Sequence, residues 1–495
     1  MHVRVEEKPT RTRALSGVLA GAATVGGLVW HFDAPTILVG LVGLAAAGLL
    51  FIRPETATLI VVFLLYSNLP VIAHQHHGVP LVLAGSFVLL LAIPAAYWLL
   101  LRGERPRTDP VLRLMLCFLA VLLLSALFAQ DKGIAAMRIV IFILEGIALY
   151  WLIINTVRTR TQLRHVIWTV LATGALLSVL SIYQTISGDH ERMFGGLAQR
   201  SIRIQELSGV DPRLEPASIR RVSERASGPM DEPNRYAQIL IVLLPLAFVP
   251  LRHARTRKVR FAAAVVGLTL LVGLALTYSR GAMLALVPMV GMVAAMRWLR
   301  PVHLAAALVC LGAVTIQFAP GLVQRAASLG TVTDLIWDRP SVRPDGAIRG
   351  RATEMLAATF AFLDHPILGV GPGQYLPLYS MEYHQAVPVK YRDLRRPRRA
   401  HNLYVELAAE TGILGLAVFT AIIGVLLKNL LRARREWLDR SPEAADMVTA
   451  FALGIFAYLV TGMFLHLAYE RYLWFLLALA AATLHILHAP ERRHA

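Results

Sequence analysis

Charge is scarce in this chain. Only 16% of its 495 residues are Asp, Glu, Lys or Arg, against 56% hydrophobic, and mean hydropathy is +0.59. Apolar runs repeatedly reach the length needed to cross a bilayer, so the composition is that of a polytopic membrane protein. Acidic residues are the scarcer sign, 31 against 49 Lys and Arg. The resulting net charge of +18 could point to nucleic acid. The excess is mostly Arg in short connectors, however, and no basic-aromatic array of a nucleic-acid binder is present. Cysteine is nearly absent. Cys117 and Cys310 both lie within apolar runs, which leaves no basis for a disulfide framework or a Cys-based metal site. There is no internal repeat and no low-complexity segment.

What is present is about fourteen apolar spans, near 14–30, 35–52, 56–73, 80–101, 110–129, 134–156, 163–185, 236–251, 260–277, 281–298, 302–319, 403–428, 447–466 and 470–488. Arginines fall on alternate connectors. Arg53, Arg102/Arg105/Arg107, Arg158/Arg160/Arg164, Arg252/Arg255/Arg257, Arg297/Arg300, Arg432/Arg434/Arg435 and Arg492/Arg493 should therefore share the cytoplasmic side. The polar start, with Arg4, Lys8, Arg11 and Arg13, reads as an inner-facing N-terminus and not as a removed signal peptide. The alternation divides the chain into N-terminal transmembrane helices (1–186), a first long outer loop (187–235), central transmembrane helices (236–319), a large outer loop with short helices (320–402) and C-terminal transmembrane helices (403–495).

Connectors this long are unusual in a compact bundle and are where function is expected. The stretch from His401 to Gly415 ends the second one, placing an imidazole where a membrane surface should be. Read as a helix at about 100° per residue, it puts His401, Tyr404, Ala408, Gly412, Gly415 and Phe419 on one face, with Glu406 and Glu410 pointing away. The small residues would admit a close helix neighbour, and Asn402 would cap. The positive helix end would keep His401 neutral, as a proton acceptor must be.

Outer arginines gather in three places. Arg225 opens a segment running through Asp231 and Asn234, with Arg220 and Arg221 upstream; Asp231 and Asn234 could equally serve turns or caps. Arg280 stands in a very short outer connector, against the charge bias, with snorkelling to lipid as the plain alternative. Arg349 and Arg351 open a segment whose Met355, Leu356, Phe360 and Leu363 have helical spacing. There, a surface pair between Arg351 and Glu354 is the plain alternative. Together such arginines suit a pyrophosphate, because the planar guanidinium donates paired hydrogen bonds and stays charged.

Other groups are weaker candidates. His74, His76 and His77 lack an accompanying carboxylate or thiol for a metal. Glu145 lies mid-span and should pair with Arg138. The glycines of Gly369-Val370-Gly371-Pro372-Gly373 read as a tight turn, since no strand or P-loop lysine accompanies them.

The pattern His401-Asn402, nine residues, then Gly412-Ile413-Leu414-Gly415 resembles the signature of the O-antigen ligase/polymerase superfamily. Three further stretches match in order: Arg225-Ala-Ser-Gly with Asp231-Glu-Pro-Asn234, Ser279-Arg280-Gly281-Ala282, and Asp364 to Gly373. The resemblance covers roughly residues 220 to 420. Met355 stands where members often carry an aromatic residue.

It implies an all-α, GT-C-like polytopic membrane protein of about 12–14 transmembrane helices with two long periplasmic loops. The implied activity is metal-independent, inverting glycosyl transfer without a cofactor, from undecaprenyl diphosphate to an acceptor hydroxyl. The site would face the periplasm from the bacterial inner membrane. Carried over, His401 is the general base and Arg280, Arg351 and Arg225 hold the diphosphate. Tyr404, Asn402, Asp231, Asn234 and Arg349 support them. The partners are the lipid-linked glycan donor, a lipid A-core or growing-glycan acceptor, and membrane lipids. Ligase is preferred, with a repeat-unit polymerase as the alternative. A flippase is a weaker one, since it would place ionisable residues deep in the bundle.

Overall fold

The computed structural model describes residues 54–80, 87–200, 202–206, 218–222, 225–298, 346–388, 396–466 and 471–489, with scattered positions at 85 and 300–313. Contacts divide the chain at Ala57, and residues 58–495 form one compact unit. The expected spans 14–30 and 35–52, and most of 302–319, lie outside the described residues.

The elements are α1 (Pro54–Tyr66), α2 (Leu69–His77), α3 (Phe87–Leu101), α4 (Pro110–Leu127), α5 (Lys132–Thr156), α6 (Arg160–Ser187), α7 (Pro233–His253), α8 (Arg257–Leu276), α9 (Arg280–Ala295), α10 (Gly346–Asp364), α11 (Ser380–Ala386), α12 (Leu403–Trp437), α13 (Pro442–Gly462) and α14 (Arg471–His488). Eight of these helices are long and apolar enough to cross a membrane, or nine when α1 and α2, bent by 56°, count as one. The protein is an all-α polytopic membrane protein. A small departure lies in the first long loop, where strands β1 (Ile202–Glu206) and β2 (Ser218–Val222) pair antiparallel with Ile202 opposite Val222.

Among the described residues, two apolar helices are shorter than the other spans. α3 mixes three helical geometries around Pro94, and α9 has only 16 residues with Pro288 inside. Each proline removes a backbone donor and crowds the preceding turn. Several helices start at readable caps. Asp109 accepts from Leu112 N before Pro110, Asp131 from Ile134 N, Ser441 from Ala444 N, and Thr159 forms a full capping box with Gln162. α13 and α14 form the centre, with 83% and 89% of an 18-residue apolar stretch of each buried.

The connectors segregate to two ends as the arginine alternation requires. At the basic end Arg164 pairs with Glu443 (2.6 Å), His253 with Asp446 (2.6 Å), and Arg158 donates to Arg105 O (2.9 Å). At the other end Asn68 donates to Pro229 O (2.7 Å) and Gln374 Oε1 accepts from Gln130 N (3.0 Å).

α12 organises this second end. Its 35 residues, at about 1.5 Å each, exceed the roughly 30 Å hydrocarbon layer by about three-quarters. The excess is cut off at Gly412, whose backbone (φ 65°, ψ −166°) is not helical. Such a break strands two carbonyls and two amides, and the segment from Pro366 to Gly371 replaces their lost partners. Val370 N donates to Ala409 O (2.8 Å) and Gly371 N to Glu410 O (3.1 Å). In return Ile413 N donates to Pro366 O (2.8 Å) and Leu414 N to Ile367 O (3.4 Å). Ser125 Oγ on α4 donates to Leu368 O (2.6 Å), fixing this junction to the bundle. The turn expected at Gly369–Gly373 is thus a helix splint. The close neighbour of Gly412 is this backbone and not another helix, which corrects the expectation of an unbroken small-residue face.

Beyond the break, α10, α11 and the first turns of α12 make a lobe with its own core of Ala357, Ala358, Ala361, Val370, Tyr375, Tyr383 and Ala409.

Candidate functional site at the lobe end

His401 precedes α12 and does not belong to it. Its φ is +48°, and Asn402 is the cap, accepting from Tyr404 N (3.0 Å) and Val405 N (3.1 Å). Asn402 also donates to Met463 O (3.1 Å). Glu406 folds back one turn and pairs with Arg399 (3.0 Å) while accepting from Ala400 N (3.2 Å). The imidazole is therefore held from both sides of its own backbone. Glu406 and Glu410 are both buried. Glu410 accepts from Gly373 N at 2.9 Å, inside the splint.

The side chains around His401 come from four elements. Its Nε2 lies 3.6 Å from Oε2 of buried Glu354 on α10, whose other oxygen is 3.8 Å from Arg398 Nε. The His466 ring, just past α13, sits 5.3 Å away at 65°. His466 Nε2 is 2.5 Å from Arg235 Nη2 on α7, and Arg235 reaches Glu232 at 3.4 Å. Burial lowers the His401 pKa to about 3, with Arg351, Arg398, Arg235 and Arg399 adding to it. His401 is neutral, as expected, though the cause is burial and these arginines more than a helix end.

The remaining sequence candidates distribute unevenly. Arg351 lies one turn before Glu354 on α10, close enough for its charge to act on His401. Arg349 is half-buried on the same helix. Arg280 opens α9 beneath its Ser279 cap, and a Cβ on the next residue, Gly281, would lie 3.3 Å from Phe464, two residues before His466. Arg225 is bound into the fold: its Nε donates to Thr277 O (2.8 Å) and its Nη2 to Asn234 Oδ1 (2.9 Å). Asn234 in turn donates to Glu232 (2.9 Å). Asp231 is a turn residue at φ +54° and is exposed. Tyr404 donates its hydroxyl to Leu459 O on α13 (3.0 Å), so it positions the helix start and not the imidazole.

Two expectations elsewhere are settled by packing. Glu145 pairs with Arg471 of α14 at 3.2 Å and not with Arg138, because α5 and α14 face each other there. His74 and His77 end α2 and bind carbonyls, Val79 O at 2.9 Å and Gly195 O at 3.0 Å.

Sequence reasoning missed Glu354 as a partner of His401, and missed His466 and Arg235 altogether. Arg235 stands immediately before an apolar span and His466 at the last position of another, a signal like the one that singled out His401, but no spacing connects residues 231 positions apart.

Fold and site together define a membrane-embedded protein with a neutral imidazole among converging guanidiniums at one end of the bundle. Residues 262–420 match the O-antigen ligase family, which supports the resemblance to the O-antigen ligase/polymerase superfamily. The match covers α8 to the middle of α12 and contains Arg280, Arg351 and His401. It supports O-antigen ligase-like function and a glycosyltransferase-like enzyme at the level of the family. No curated protein matches the chain.

Proposed function

We propose that the lobe end faces the periplasm from the bacterial inner membrane, and that the protein transfers a glycan from undecaprenyl diphosphate to an acceptor hydroxyl. The observation that carries this reading is the neutral, mostly buried His401 set against Glu354 on one side and surrounded by arginines. A neutral base needs one protonated nitrogen and one lone pair. The carboxylate beside Nε2 favours the proton there, which leaves Nδ1 as the acceptor.

The reaction then balances simply. The acceptor oxygen attacks the anomeric carbon as its proton passes to His401 Nδ1. The bond from that carbon to the diphosphate oxygen breaks, its electron pair leaves on the lipid diphosphate, and attack opposite the leaving group inverts the anomeric centre. Arg280 and Arg351 hold the diphosphate and meet its growing charge with donors already in place. The anion also offsets the arginines' pull on the imidazole, so His401 becomes a stronger base once the donor lipid is bound.

The test uses protein in nanodiscs with radiolabelled undecaprenyl-diphosphate oligosaccharide, with and without lipid A-core. Single transfer that requires the acceptor identifies a ligase, whereas a ladder formed from donor alone identifies a repeat-unit polymerase. Turnover by His401→Ala equal to wild type would remove the base assignment.

A further inference from the structure

His466 has no place in the reaction as written, yet its surroundings are specific. It follows α13, whose last turn carries Asn402 through Met463 O, and it lies edge-on to His401 at 5.3 Å. Arg235 Nη2 approaches its Nε2 to 2.5 Å. A guanidinium can only donate, so Nε2 accepts and the proton of the neutral ring is on Nδ1. That N–H is buried and meets no acceptor among the described residues. Nδ1 of His401 is likewise buried without a partner, so the two rings are not bonded to each other through these atoms. A buried donor without an acceptor is costly, and one beside a candidate base asks for a ligand oxygen.

We propose that His466 contacts substrate directly, its Nδ1–H donating to a phosphate oxygen of a polyprenyl diphosphate while Arg235 behind it fixes the tautomer and polarises the ring. The inference rests on the diphosphate reading above. The charge around the ring favours an anionic oxygen over a sugar hydroxyl: Arg235, Arg399 and Arg138 all act on His466, and together with burial they hold it neutral. Glu232 pairs with Arg235 at 3.4 Å, and Glu354 and Glu406 are engaged by Arg398 and Arg399.

A neutral donor is also the group this position needs. A further cation so close to His401 would weaken the base, whereas an imidazole passes on the pull of Arg235 without adding charge. As the anomeric bond breaks and its electron pair moves to the diphosphate, the N–H to oxygen bond strengthens.

Binding of radiolabelled undecaprenyl diphosphate and of undecaprenol to the full chain in nanodiscs separates the possibilities. His466→Phe should weaken binding of the diphosphate about tenfold, as expected for one lost charge-assisted hydrogen bond, and leave undecaprenol unchanged. His466→Gln keeps both an N–H and an acceptor for Arg235, and should retain most of the affinity. Arg235→Met, which has no N–H to hold the tautomer, should behave like His466→Phe and serves if that variant does not fold.

Undiminished preference for the diphosphate in both His466→Phe and Arg235→Met overturns the proposal. So does an equal loss for the two lipids, which marks a packing defect, or an effect confined to the KM of the glycan acceptor. A wild-type protein without preference for the diphosphate would instead bring down the proposed function, and this contact with it.

Discussion

At the scale of single residues, His401 and Glu354 make predictions that a merely structural pair would not. If His401 Nδ1 is the base, His401→Gln should lower kcat by roughly 10²–10⁴ while the protein keeps its thermal midpoint. Glu354→Gln retains shape but no longer favours the Nε2 proton, and should lower kcat by roughly tenfold with little change in donor KM. The pH profile follows from the sign of the shift. The His401 pKa is lowered to about 3 in the protein without substrate, so the basic form persists far below the ordinary imidazole range. The acid limb of kcat/KM, which reports the free enzyme, should therefore be absent between about pH 5 and 8. The acid limb of kcat reports the complex, where the diphosphate offsets the arginines, and should lie at higher pH. Coincident limbs at the ordinary imidazole value would count against this electrostatic picture.

At the scale of elements, the break in α12 is what separates a membrane span from a periplasm-side lobe in the reading proposed here. Gly412 sits at φ 65° and ψ −166°, a region open in practice to glycine alone, and an added Cβ would collide with the Ile367 backbone. Gly412→Ala should cost on the order of 1–3 kcal/mol in backbone strain alone, lower Tm, and impair turnover by moving the helix start that carries His401. Ser125→Ala removes the hydroxyl that ties the splint to α4 through Leu368 O. Its expected cost is about 1–2 kcal/mol, read as a lower Tm with kcat nearly intact. Should Ser125→Ala abolish turnover without lowering Tm, the splint does more than hold the lobe in place.

At the scale of the whole molecule, the two ends of the bundle differ in charge and in what they hold together. The basic end is laced by pairs such as Arg164–Glu443 and His253–Asp446, and the lobe end by His401, His466 and their arginines. With exposed Cys117 and with Cys310 replaced by alanine, single cysteines at Arg255 and at Ser187 should label from opposite faces. A membrane-impermeant maleimide applied to spheroplasts should reach Ser187→Cys and leave Arg255→Cys unmodified until the membrane is opened. Labelling of both from outside would refute the orientation and, with it, a periplasmic site.

The sequence by itself determined the membrane class, most span positions, the sorting of connectors to two ends and the helix cap at Asn402. These features depend on local chemistry: run length, charge at a boundary, and a side chain that reaches its own next turn. It also marked His401 and Arg280, because an ionisable residue at the edge of an apolar run stands out without any neighbour, and Arg351 as one of the arginines gathered in the second long loop. Only the tertiary structure decided the partners. Glu354 and His466 meet His401 across three elements, Glu145 meets Arg471 instead of its own helix's Arg138, and Arg225 is spent on Thr277 and Asn234. Likewise the glycines at 369–373 and 412 are one device, in which a distant loop supplies the hydrogen bonds that a broken helix lacks. Such contacts arise from packing between segments far apart in the chain, and no periodicity within either segment encodes the distance between them.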